Sequence, residues 1–194
     1  MEERNNLYPV FLKLRNLKIL IVGGGFVAEE QLYSIYNSST DANVTMVASY
    51  FRVGTIALAK QYGVKMIERP FKPSDLNDHQ IIICTTDDDL LNIDIYAICK
   101  KIGIMVSVVN NLTYCDFYMG GIVTKGNLKI AISTNGKSTS TTKLLKQLFD
   151  DIIPNDINDL LRNIRKYRKS LKADFSGKVN RLNKLTIDLI KKAK

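Results

Sequence analysis

The run KILIVGGGFVAEE sets Gly23, Gly25 and Ala28 in a G-x-G-x-x-A arrangement directly behind an apolar segment. Glycine at 23 permits a tight turn, glycine at 25 lets backbone approach a pyrophosphate, and alanine at 28 allows close helix–strand packing. A helix opening at Phe26 would then present N–H groups without intrahelical partners to an anion. The bare pattern is weak by itself. Its strand–turn–helix setting is what reads as dinucleotide binding rather than a structural turn. Gly23, Gly24, Gly25, Phe26 and Val27 are thus the candidate cradle.

Two other strand ends carry polar groups. CTTDDD follows the apolar run QIIIC, and ligands in open α/β sheets bind where strands end. Thr85 and Thr86 are expected to meet the nicotinamide side, while Asp87 or Asp88 caps the next helix. NVTMVASYF ends in Ala48 and Ser49, with no acid to take the ribose hydroxyls and with Arg52 close behind as a possible phosphate partner. The motif alone leaves NAD and NADP open. A third end, VVNNLTYCDF, closes on the neutral amides of Asn110 and Asn111, with Asp116 six residues past the first.

The elements that must hold these residues alternate. Strands are expected at 18–25, 43–49, 64–68, 80–86 and 104–110, with helices at 26–37, 52–62 and 90–101 between them. Fully apolar strands separated by helices predict a parallel sheet covered on both faces, wound by right-handed crossovers. After residue 117 the pattern changes to a β-hairpin over 121–134 turning at KGN, then a helix from Ser138 to Phe149. Pro154 and Asn155 break the chain, and two basic amphipathic helices are expected at 156–171 and 179–193. The domains read as 1–112 for nucleotide binding, 113–150 for a hairpin-plus-helix module, and 151–194 for a helical tail.

Composition narrows the classes. Hydrophobic residues are 45% and charged residues 24%, ordinary for a globular chain. No apolar stretch approaches the ~20 residues that span a bilayer, so no membrane role is expected. MEERNNLYPVF carries acids where a secretory signal would carry bases, which gives a cytoplasmic expectation. Cys84, Cys99 and Cys115 lack metal-ligand spacing and read as buried small hydrophobes, and His79 is the only histidine. No metal site and no Ser-His-Asp triad are expected. The net charge of +9 is concentrated in residues 151–194, which hold 12 Lys and Arg against 5 acids. That tail lacks interleaved aromatics beyond Tyr167 and Phe175, and no nucleic-acid partner is expected.

In this order, YPVFLKLRNLKILIVGGGFVAEE, ERPFKPSDL, TTDD, VVNN…CDF and LKIAISTNGKS resemble the precorrin-2 dehydrogenase module of siroheme synthase. The similarity runs over residues 8–150, and ERPF, TTDD and IAIST-GKS are more specific to it than the glycine turn. The resemblance implies an NAD-binding Rossmann domain, a dimerisation module over 113–150 and a C-terminal helical domain, assembled as a homodimer. It implies oxidation of precorrin-2 to sirohydrochlorin with NAD as cofactor. Some members also insert ferrous iron, and others leave that step to a separate chelatase. Carried over by position, the cofactor contacts fall on Gly23–Val27 and on Ala48 and Ser49. The family also lacks the ribose acid, which favours NAD.

Precorrin-2 is fringed with acetate and propionate carboxylates, which a basic tail would attract. STNGKS lies between a strand and a helix, so Ser133, Thr134, Asn135, Lys137 and Ser138 are candidate carboxylate contacts, with helix capping as the plainer role. One position departs from the family. Its catalytic aspartate follows the strand as V-V-D, and here that place is Asn110. An amide accepts no proton as a carboxylate does. Asp116 is the nearest replacement acid, with anchoring of the crossing into the next module as its structural alternative. The expectation is dehydrogenation with Asn110 as an orienting hydrogen-bond partner and chelation weak or absent. The rivals are a nucleotide- or tetrapyrrole-binding protein without turnover, and a basic nucleic-acid-binding regulator.

Overall fold

The computed structural model describes residues 4–170 together with 176, 177, 179 and 180. Five short strands form one parallel sheet: β1 Lys18–Val22, β2 Asn43–Ala48, β3 Lys65–Glu68, β4 Ile81–Cys84 and β5 Met105–Val108, in the order β3-β2-β1-β4-β5. Val22 stands opposite Val47 on one side and Cys84 on the other. The carboxyl ends of β1, β2 and β4 therefore emerge level. The order reverses at β1, and the crossovers diverge there to leave a crevice.

Alternation along the strands feeds two cores. Ile19, Ile21, Met46, Ile81 and Ile83 pack with α1 (Phe26–Ser38) and α2 (Val53–Tyr62) on one face. Leu20, Val22, Val47, Ile82 and Cys84 pack with α3 (Asp89–Ile102) and with Leu76 from the 3-10 turn Pro73–Leu76 on the other. Burying both faces is what makes these strands read as unbroken apolar runs. Cys84 and Cys99 belong to the second core, where burial pushes their thiols up to about 12 and about 11. Cys115 is half-buried, its thiol donating to the Val108 carbonyl at 3.2 Å.

β5 stops at Val108, two residues short of the expected end, because the Asn111 N–H closes a turn on the Val108 carbonyl. The hairpin forms as β6 (Gly121–Lys125) and β7 (Leu128–Ile132), followed by α4 (Thr139–Ile152) and α5 (Ile157–Ser170). The helix expected over 179–193 lies outside the described residues apart from 179 and 180. Two compact units result: one gathers the chain up to Gly121 with Ala131–Lys143, the other Ile122–Ile130 with the chain from Leu144. Residues 131–143 belong to the unit that holds the sheet. Among the described residues no helix is long and apolar enough to cross a membrane.

Candidate functional site

A cleft of ≈470 Å³ opens at the carboxyl ends of β1, β2 and β4. All the residues expected to hold the cofactor line it: Gly23, Gly24, Gly25, Phe26, Val27, Ala48, Ser49, Thr85 and Thr86. Gly23 has φ +125°, a conformation that side-chain-bearing residues rarely adopt, and a Cβ there would strike the Thr85 hydroxyl. A Cβ on Gly24 would collide with the Tyr50 carbonyl and lie 2.8 Å from the Phe51 ring. Gly25 differs, since nothing among the described residues lies within 4 Å of where its Cβ would be. The first two glycines close the turn against protein, and the third faces open space. Gly25 is also the N-cap of α1, and no side chain among the described residues caps the helix, so its first N–H groups are available to a ligand. Ala28 is fully buried where α1 meets the sheet. These features fit a pyrophosphate.

The threonines divide the work at the second wall. The Thr85 hydroxyl donates to the Val22 carbonyl at 2.9 Å and ties β4 to the glycine turn. Thr86 donates to Asn92 Oδ1 at 2.7 Å, and the Asn92 amide returns a bond to the Thr86 carbonyl at 2.9 Å. Asp88 is the N-cap of α3, accepting from the Leu91 N–H at 3.0 Å. Asp87 and Asp88 also line the cleft.

Tyr50, Phe71 and Leu91 line the cleft too, although no motif in the sequence marks them as site residues. Phe71 belongs to ERPF, and its loop is clamped. The Arg69 guanidinium bonds both Asp75 carboxylate oxygens, at 2.8 and 2.5 Å, and the Pro70 carbonyl at 2.9 Å. Asp75 also accepts from the Lys72 N–H at 2.8 Å. Arg69 beside it holds the Asp75 carboxyl below its ordinary 3.8. A depressed folded-state value means stability that is present above the unfolded pKa and lost as pH falls through the folded one. Asp75→Asn is accordingly expected to flatten the fall of the unfolding midpoint between about pH 5 and pH 2. It should also weaken dinucleotide binding several-fold at pH 7 by releasing Phe71. Thermal scans across pH with a cofactor titration check both.

Arg52 does not line the cleft. Its guanidinium lies 3.7 Å from Glu29 and 5.4 Å from the centre of the Phe26 ring.

Asn110 is exposed in the turn after β5, and its amide makes no hydrogen bond among the described residues. It does not line the cleft. Asp116 has the surroundings of its structural alternative. Past Asn111 the chain doubles back antiparallel to β5, with Ser107 bridging Cys115, and Asp116 comes to lie beside Val106. Its carboxylate accepts from the Val106 N–H at 3.1 Å and pairs with Lys100 Nζ on α3 at 2.6 Å. It is carried toward the start of β5, away from the strand end where a base would act, and it anchors the returning chain.

STNGKS forms a tight loop in the same unit as the sheet but outside the cleft lining. Asn135 and Gly136 take positive φ values of 55° and 74°, and Gly136 rests on Leu112 two residues past Asn110. Thr134 Oγ1 donates to the Ser138 carbonyl at 3.0 Å, and Ser133 Oγ accepts from the Asn135 N–H at 3.2 Å. Ser138 Oγ caps α4 by accepting from the Thr141 N–H at 3.1 Å. The capping role is thus present through Ser138, and the Ser133 and Thr134 hydroxyls are bonded within the loop.

A family model described as "Putative NAD(P)-binding" matches residues 10–121. Siroheme synthase of Pseudoalteromonas atlantica is 32% identical over 174 residues, covering 90% of this chain and 37% of that protein. Siroheme synthase of Methylococcus capsulatus is 32% identical over 154 residues, covering 79% and 32% respectively. The chain thus spans about a third of the length of these curated relatives. Among solved structures, SirC, a precorrin-2 dehydrogenase, matches with TM-score 0.69 at 21% identity, covering 92% of this chain and 89% of that one, a likeness of fold. With its glycine turn, uncapped helix and cleft inside the matched region, this chain belongs to the NAD(P)-binding family.

Proposed function

We propose that this protein is an NAD-dependent precorrin-2 dehydrogenase that forms sirohydrochlorin in siroheme biosynthesis. The carrying observation is the uncapped α1 N-terminus behind Gly25, opening on the cleft where the strand order reverses. The similarity to siroheme synthases supports the substrate class, and the likeness to SirC supports the fold it requires. NAD rather than NADP is supported by Arg52, which is engaged by Glu29 and Phe26 outside the cleft lining.

Bound in the cleft, NAD supplies the hydride acceptor. The glycine turn binds and orients it, and Phe71 and Leu91 offer apolar wall that excludes water. The carbon giving up hydride needs positioning more than acid–base help, and the accompanying proton leaves to water or to a substrate carboxylate. The STNGKS loop, resting against Leu112, is the proposed carboxylate contact through Ser133, Thr134, Asn135, Lys137 and Ser138. Its hydroxyls keep acceptor lone pairs, and Lys137 brings positive charge. Asn110 is the proposed orienting group.

The assembly proposed is a cytoplasmic homodimer joined through 113–150, with the tail 151–194 as a separate helical part. Leu144, Leu148 and Ile152 of α4, exposed along one stripe at 70, 50 and 61%, support a dimer face there. A separate chelatase is the proposed partner for iron insertion. Anaerobic incubation with precorrin-2 and NAD⁺ is expected to give sirohydrochlorin and an equivalent of NADH, read from their absorption spectra. NAD binding without either product would instead identify a binding protein that does not turn over.

A further inference from the structure

Thr55 lies in the first turn of α2, fully buried, and is not part of the cleft lining. Its hydroxyl approaches the Gly24 carbonyl at 3.0 Å and the Gly25 carbonyl at 3.3 Å, across thirty residues of chain. The Arg52 N–H donates to the same Gly24 carbonyl at 3.0 Å. The start of α2 thus holds the Gly24 carbonyl through two donors, and the Thr55 hydroxyl also lies beside the Gly25 carbonyl, which accepts from the Glu29 N–H of α1 at 3.1 Å.

Peptide planarity carries this orientation to the N–H side. In a planar trans peptide the N–H points opposite to the preceding carbonyl. With the Gly24 and Gly25 carbonyls turned to α2, the N–H groups of Gly25 and Phe26 are turned away from it. These two residues line the cleft, and the space beside Gly25 is open. The hydroxyl hydrogen bonds one carbonyl at a time; with the Arg52 N–H it favours this orientation of the Gly24–Gly25 peptide, and it adds to the Glu29 N–H bond that already holds the Gly25–Phe26 peptide. A flipped peptide would aim a carbonyl at an anion and abolish the favourable field of the helix start.

We propose that Thr55 is a positioning residue for the diphosphate of the dinucleotide, acting through the Gly24–Gly25 and Gly25–Phe26 peptides. This rests on the dinucleotide reading of the cleft and deepens it. A residue that only filled the core would affect all ligands and the fold together. A residue that orients N–H donors affects the diphosphate alone.

The test compares ADP with adenosine, and NAD⁺ as whole ligand, by calorimetric titration of the full chain. Thr55→Val removes the hydroxyl at nearly constant volume. It is expected to weaken ADP and NAD⁺ binding by about five- to tenfold, the worth of a lost hydrogen-bond constraint. Adenosine binding should stay within about twofold. Thr55→Ser should restore the wild-type ratio of ADP to adenosine affinity. If Thr55→Val does not fold, Thr55→Ala against Thr55→Ser gives the same comparison. Equal losses for ADP and adenosine, or no loss for either, overturn the role of Thr55 while leaving the cleft's assignment standing. A wild-type protein that binds neither ADP nor NAD⁺ overturns both.

Discussion

Gly25→Ala is expected to leave the unfolding midpoint within about 2 °C of wild type while weakening NAD⁺ binding by about thirty- to a hundredfold. The backbone at Gly25 has φ −80° and ψ −164°, ordinary extended geometry that alanine adopts without strain. Nothing among the described residues lies within 4 Å of the added methyl, so the fold around it has no reason to change. The methyl would instead stand where a pyrophosphate must come to reach the N–H groups of the turn and of α1. Gly23→Ala supplies the contrast. There φ is +125°, and the methyl would strike the Thr85 hydroxyl and lie 3.0 Å from the Thr85 carbonyl carbon. That variant should lose stability and binding together, by strain and by collision with backbone. Thermal unfolding beside calorimetric titration separates the two outcomes. Wild-type NAD⁺ affinity in a folded Gly25→Ala would mean that the ligand does not lie against this turn.

These two glycines show what kind of information was legible in the chain. G-x-G-x-x-A is a local signal because turn, anion approach and helix packing each need a small residue at a fixed offset. Alternation in β1 and β4 is local as well: Ile19 and Ile21 go to one core and Leu20 and Val22 to the other. The Asp88 cap is readable because capping is a contact over three residues. Thr55, Phe71 and the Arg69–Asp75 clamp are not local in that sense. Thr55 acts on a turn thirty residues earlier, and Phe71 reaches the cleft only because a salt-bridged loop carries it there. ERPF could have marked Phe71 as an aromatic following a strand end, but the word does not say which way the ring faces. For Asp116 the sequence left two roles open for the same reason. Its short distance from Asn110 along the chain suggested a shared site, whereas the antiparallel return beside β5 moves it toward the strand's start. The direction of that return is set by tertiary packing.

Asn110→Asp is expected to raise the rate of ferrous or cobaltous ion insertion into sirohydrochlorin by about ten- to a thousandfold, while NAD⁺-dependent dehydrogenation changes by less than about threefold. Metal insertion must strip protons from pyrrole nitrogens, and a positioned carboxylate acting as base contributes about 10²–10⁴ to such steps. Dehydrogenation depends first on holding donor carbon and acceptor together, which an amide and a carboxylate of the same shape do alike. The site is prepared for the change. Asn110 is exposed in its turn, its amide has no hydrogen-bond partner among the described residues, and Gly136 of the proposed carboxylate loop rests two residues further on. A carboxylate there would therefore replace no existing bond and would face water until substrate arrives. Asp116→Ala serves as the control. With that carboxylate paired to Lys100 and bonded to the Val106 N–H, its loss should lower the unfolding midpoint by about 2–4 °C and leave both rates nearly unchanged. If the protein with Asn110 inserts metal as fast as Asn110→Asp, the base is another group. If Asp116→Ala then abolishes insertion, the anchoring role assigned to that residue is wrong, and the antiparallel return beside β5 must open during turnover to bring its carboxylate to the substrate.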